Sequence, residues 1–203
     1  LRPRFVARAQ VQSVDYTALL VLCDDVRRQL VPSRLESAFQ TGPTELRLGL
    51  RTLDRSRRWL VLNWHPSHAH LCVSAAGPPR GAREDAAFSL SAIVRATAKD
   101  MAVLDVCPVV PFERIARVDL GLRPGEPPQM SIFLELFGGG RSNLVVVDLS
   151  GGEQVIRACG RQVSGKKAIR ALQTGAEYAL PPAPLGVDPR QAGGYSQWAD
   201  RMD

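Results

Sequence analysis

Glu45-Leu46-Arg47-Leu48-Gly49-Leu50-Arg51 alternates leucine with a charged residue or glycine along its whole length. Successive side chains of an extended chain point to opposite faces, so this segment is a strand with one buried and one wet face, as antiparallel sheets have. Three more strand-like runs surround it, at 34–40, 59–64 and 69–73. Their connections are short and hold turn residues, Thr41-Gly42-Pro43 and Asp54-Arg55-Ser56. Such linkers favour hairpins over crossover helices.

Working outward, Asp15 suits a helix N-cap, and Leu19, Leu22, Val26 and Leu30 then share one face of a helix over 17–30, which Pro32 ends. After a Pro/Gly loop at 77–83, a second helical period runs through Ala86, Ala87, Leu90, Ile93, Val94 and Met101. Strands resume at 103–106, 115–120, 130–137, 144–149 and 154–159, punctuated by Pro124-Gly125, Gly138-Gly139-Gly140 and Gly151-Gly152. The layout of a helix followed by strands therefore occurs twice. It predicts an α+β fold, an antiparallel β-sandwich of about eight to nine strands with two helices packed on it. Pro181-Pro182-Ala183-Pro184 reads as a stiff linker. The expected organisation is an N-terminal extension at 1–11, one domain at 12–182, and a linker or tail at 183–203 leading toward further domains.

The 203 residues, 45% hydrophobic and 23% charged, suffice for a full core and exclude disorder, collagen and coiled coil. The longest apolar run, 18–23, has six residues, far short of the roughly 20 that a helical membrane span needs. Cys23, Cys72, Cys107 and Cys159 are widely spaced and read as reduced thiols rather than a disulfide framework or zinc ribbon. The net charge of +6 comes almost wholly from arginine, the lysines being Lys99, Lys166 and Lys167. Guanidinium groups are planar forks that match phosphate oxygens, so the balance favours RNA or DNA as a partner. Arg2, Arg4 and Arg8 without an acid in 1–10 suit the end of a transit peptide or a linker.

All three histidines lie in His65-Pro66-Ser67-His68-Ala69-His70-Leu71-Cys72. His68, His70 and Cys72 share one face if the segment is extended, but no fourth ligand accompanies them, and no metal site or cofactor is assigned. Gly160-x-x-x-x-Gly165-Lys166-Lys167 comes close to a phosphate loop, yet Lys167 stands where the magnesium-binding hydroxyl belongs. A phosphate loop also needs a parallel sheet, which the hairpin pattern opposes. No acid interrupts 154–176, where Arg157, Arg161, Lys166, Lys167 and Arg170 form a basic segment able to track a phosphate backbone. No nucleophile elbow, zinc-protease helix or dinucleotide fingerprint occurs, so no catalytic residues are assigned.

Ser13-Val14-Asp15-Tyr16, Pro32-Ser33-Arg34-Leu35-Glu36, Phe112-Glu113-Arg114-Ile115, Glu135-Leu136-Phe137-Gly138, Arg141-Ser142-Asn143 with Leu144 to Asp148, and Gln173-Thr174-Gly175-Ala176-Glu177-Tyr178 follow one another in a fixed order. Together they resemble the N-terminal domain of the NFACT family, also called fibronectin-binding protein A-like, whose members include bacterial RqcH proteins and eukaryotic NEMF. The resemblance spans about 12–182 and is nearest to cyanobacterial and plastid members. It implies a fold like the N-terminal domain of Fpg/Nei glycosylases and a role in ribosome-associated quality control. The implied partners are tRNA and a large ribosomal subunit still holding peptidyl-tRNA, where stalled chains are tailed; no membrane partner is implied. An aspartate near the start and a later Asp-Arg pair are the family's tRNA-binding residues. They correspond here to Asp15, Glu113 and Arg114, with Glu113 replacing the usual aspartate, and a carboxylate beside Arg114 suits an ordered guanidinium fork. Chloroplast stroma is the expected location, bacterial cytoplasm the alternative. The competing function is enzymatic, a glycosylase-like DNA-binding enzyme or a P-loop-like nucleotide hydrolase. Pro3, between Arg2 and Arg4, lacks the free amine and the acid of glycosylase chemistry, so an RNA-binding module without catalysis is the leading expectation.

Overall fold

In the computed structural model, which describes residues 13–79, 90–165 and 170–182, the first element is α1 (Tyr16–Leu30). The Asp15 carboxylate accepts the Ala18 N–H at 2.7 Å and caps it. Leu19, Cys23, Val26 and Leu30 form its buried stripe; Cys23 occupies the place expected of Leu22, which is only partly buried. Strands β1 (Ser33–Gly42), β2 (Glu45–Thr52), β3 (Arg57–Asn63) and β4 (His70–Ser74) follow. Then come α2 (Leu90–Ala98), β5 (Ala102–Pro108), β6 (Ile115–Gly121), β7 (Met130–Glu135), β8 (Asn143–Asp148) and β9 (Val155–Cys159). The second helix stops short of Met101 because Asp100 adopts a left-handed backbone, φ 68°, a conformation that ends helices. Ala86 and Ala87 lie outside the described residues, as do 1–12 and 183–203.

The nine strands form one sheet in the order β4-β3-β2-β1-β5-β6-β7-β8-β9, antiparallel at every pairing. The first strand after each helix meets its counterpart at the centre, through Ser33↔Val103 and Arg34↔Ala102. The repeated layout in the sequence is therefore a two-fold-like arrangement of two hairpin stacks. Both stacks feed one core: Leu46, Leu48, Leu50, Leu60 and Leu62 from one half, Val118, Leu120, Ile132, Leu134 and Val146 from the other, with the stripes of α1 and α2. The sheet thus curls over its helices as a sandwich, the expected α+β architecture.

Strands β7 and β8 are buried on both faces, which accounts for their unbroken apolar runs. Ile115, Phe133, Val145, Val147 and Ile156 face a second cluster, covered by Leu172 and Tyr178. That cover is tied on by the bridges Val155↔Glu177 and Val163↔Leu172. The segment after β9 thus turns back antiparallel at Val163, and no parallel strand or crossover helix stands where a phosphate loop requires one.

Candidate nucleic-acid interface

Three distant stretches meet at the start of α1. Residues 13–16 enter the helix, 110–114 lead into β6, and 136–142 connect β7 to β8. Val110-Pro111-Phe112-Glu113 is a turn closed by the Glu113 N–H on the Val110 carbonyl at 3.2 Å, with Phe112 at φ 64°. The main-chain carbonyl of Arg114 accepts the Leu136 N–H at 2.8 Å. Its guanidinium donates to the Phe137 carbonyl at 3.1 Å and reaches the Val14 carbonyl at 3.5 Å. Arg114 therefore bridges residues 100 positions earlier and 23 later in the chain. The Tyr16 and Phe112 rings lie 5.3 Å apart at 45°. On the far side, Ser142 Oγ accepts the Gly138 N–H at 3.0 Å and closes the connection.

This geometry brings Asp15 and Arg114 to one surface and sets Glu113 beside them. It also corrects one expectation, because two carbonyls and not Glu113 orient the guanidinium. Adjacent residues on an extended chain project to opposite sides, so Glu113 and Arg114 diverge as the chain enters β6. The Asp15 carboxylate is exposed and engaged with the helix. An acid, a second half-buried acid and an anchored guanidinium make a mixed set, suited to base edges and ribose hydroxyls as well as phosphate.

Asp15 serves two purposes that substitution separates. Asp15→Ala is expected to lower stability by about 0.5–2 kcal/mol through loss of the cap, whereas Asp15→Asn caps equally well while removing the charge. Urea denaturation of the two variants checks this; equal losses in both would show that the cap contributes nothing.

The basic segment is less uniform than its composition. Arg157 donates through Nε to Asp148 at 2.9 Å. With the Ser150 hydroxyl as the larger cause, it lowers the Asp148 carboxyl to about 2. The Arg161 side chain is exposed, and Asn143 holds its backbone through its N–H and carbonyl, each at 2.8 Å. Arg170 departs from expectation, since its guanidinium is committed to the buried Glu135 at 2.6 Å and to the Ala179 carbonyl at 2.8 Å. Reaching a phosphate would strip a buried carboxylate of its partner, so Arg170 is a structural cation. Lys166 and Lys167 lie outside the described residues.

A second arginine group escaped the sequence reading. Arg34, Arg51 and Arg57 stand in register on β1, β2 and β3 around Glu36, which Arg51 engages through two nitrogens at 3.0 and 3.1 Å. That bidentate bond holds the Glu36 carboxyl below its ordinary range. The alternation of Arg47 and Arg51 with leucine signalled the wet face, but only the strand register reveals the row.

The histidines do not assemble as a ligand set. His68 lies in the turn before β4 with its ring stacked on His65 at 3.6 Å, while His70 and Cys72 belong to β4. No group of three potential metal ligands is gathered among the described residues. All four cysteines are free thiols, and burial pushes Cys23 up to about 12, which makes it unreactive.

The sequence matches the family of NFACT N-terminal and middle domains over residues 15–203. No curated protein sequence matches it. Among solved structures, the N-terminal domain of fibronectin-binding protein PavA from Streptococcus pneumoniae superimposes with a TM-score of 0.74 at 20% identity, over 94% of this chain and 72% of that one. The N-terminal part of the fibronectin/fibrinogen-binding protein from Streptococcus suis gives 0.69 at 19% identity, over 85% of this chain and 64% of its own. The fibrinogen-binding protein from Staphylococcus aureus gives 0.65 at 18% identity, over 85% and 58%. The present chain thus spans under two thirds of the latter two, and the likeness is one of fold.

Proposed function

The chain belongs to the family of NFACT N-terminal and middle domains, and from that premise we propose that it is the RNA-binding module of a ribosome-associated quality control factor. It grips tRNA and the large subunit obstructed by peptidyl-tRNA, supporting the tailing of stalled chains without making bonds itself. A plastid stroma is the proposed setting and a bacterial cytoplasm the second. The observation that carries the reading is the meeting of Asp15, Glu113 and Arg114 at the start of α1, from motifs about 100 residues apart. Burying the α1 stripe against the sheet leaves polar, oppositely charged groups at that helix end, where base edges and phosphates can be engaged together.

The test is tRNA binding by the full chain, with cosedimentation on large subunits with and without bound tRNA. Affinity is expected to fall steeply between 50 and 200 mM salt, because phosphate contacts release counterions. Arg114→Ala is expected to weaken binding about tenfold or more, and Asp15→Asn to weaken it while leaving the melting temperature unchanged. Binding unaltered in both variants would remove the site; a chain that binds neither tRNA nor subunits would remove the function.

A further inference from the structure

We infer that Phe112, braced by Tyr16, is a stacking platform for one unpaired base of the bound RNA. This rests on the RNA-binding reading and adds to it a residue, a contact type and a requirement for unpaired RNA.

The first observation is conformational. Val110-Pro111-Phe112-Glu113 has proline at its second position, a closing hydrogen bond and φ 64° at its third. These are the marks of a type II turn, whose third position calls for glycine or asparagine. A bulky aromatic residue there is strained, and such strain persists where the surroundings impose it and the side chain has a use.

Core packing does not supply that use. Phe112 is 40% exposed, although a ring of its size gains most from burial. Its ring meets Tyr16, the residue directly after Asp15, at 5.3 Å. The guanidinium of Arg114 is anchored two residues further on. An aromatic surface flanked by an anchored cation and two carboxylates matches the needs of a nucleotide, whose base stacks on the ring while its edge and phosphate meet the polar groups. A base inside a duplex offers no free face, so the ligand is a loop or single-stranded segment.

The ring and the turn can be altered separately. Phe112→Gly relaxes the backbone and removes the ring; its melting temperature is expected to hold or rise while affinity for an RNA stem-loop falls about 5- to 100-fold, the range seen when a stacked base loses its aromatic partner. Phe112→Leu keeps a bulky apolar side chain and is expected to lose comparable affinity, whereas Phe112→Trp retains it. The same RNA presented as a closed duplex should compete poorly with the loop. Wild-type affinity in Phe112→Leu, with Arg114→Ala still impaired, would overturn the platform and leave the RNA-binding reading standing. A melting temperature lowered in Phe112→Gly would show instead that the ring secures the turn, and would also overturn it. Absence of RNA binding by the unmodified chain would remove both readings.

Discussion

Replacing Arg170 with methionine is expected to destabilise the fold by about 3–5 kcal/mol, the cost of leaving a buried charge without its partner. Glu135 closes β7 with 1% of its surface exposed, and its carboxylate receives Arg170 at 2.6 Å and the Tyr178 hydroxyl at 3.0 Å. Both donors come from the segment at 170–182 that covers the outer face of β6 to β9. Tyr178 stacks on Phe133 with centroids 4.2 Å apart, and Arg170 lies over the Tyr178 ring at 5.8 Å. Burial, and then the carboxylate, push the Tyr178 phenol well above its ordinary range, so it remains a donor. With the guanidinium gone, one phenolic hydrogen bond remains for a full negative charge. Glu135→Gln combined with Arg170→Met is expected to recover more than half of the loss, because a neutral amide still accepts from Tyr178 and no longer requires a cation. Urea unfolding of the three proteins measures this. A loss below about 1 kcal/mol in Arg170→Met would mean that the pair behaves as a solvated surface bridge.

That pair also shows where sequence reading stops. The local periods were legible: Leu46, Leu48 and Leu50 announced β2, and Asp15 with the leucine stripe announced α1. The hairpin turns fixed which strands are neighbours. They could not say how the two hairpin stacks join, because only Ser33↔Val103 and Arg34↔Ala102 connect β1 to β5, and nothing local marks those residues. Arg170 was legible as a charge but not as half of a pair, its partner lying 35 residues upstream. Asp15 and Arg114 were linked only by family resemblance. What brings them together is the burial of the α1 stripe against β5 and β6, a tertiary cause without a local trace. Phe112 was hidden for the opposite reason: its turn lacks the glycine that would have advertised a positive φ.

The closure of the sheet on itself leads to the other large effect. Trp64 leaves the end of β3, is 3% exposed, and donates its main-chain N–H to the Thr44 carbonyl at 2.9 Å. Its indole lies against Gly160 just beyond β9, so strands seven places apart in the sheet order touch here. Trp64→Ala is expected to cost about 3–5 kcal/mol, since the ring fills the gap between the two stacks and a cavity remains. The glycine is needed for the same reason, because a Cβ at Gly160 would sit 2.5 Å from Cε2 and Nε1 of Trp64. A fused ring in a close-packed core has little room to yield, so Gly160→Ala is expected to cost about 1–3 kcal/mol. Phenylalanine lacks the second ring and frees space for that methyl group. Trp64→Phe with Gly160→Ala should therefore be more stable than the sum of the single losses predicts, by about 1 kcal/mol or more. Strict additivity in that double-mutant cycle would mean that the two ends do not press on each other, and the closure would then have to rest on the helices alone.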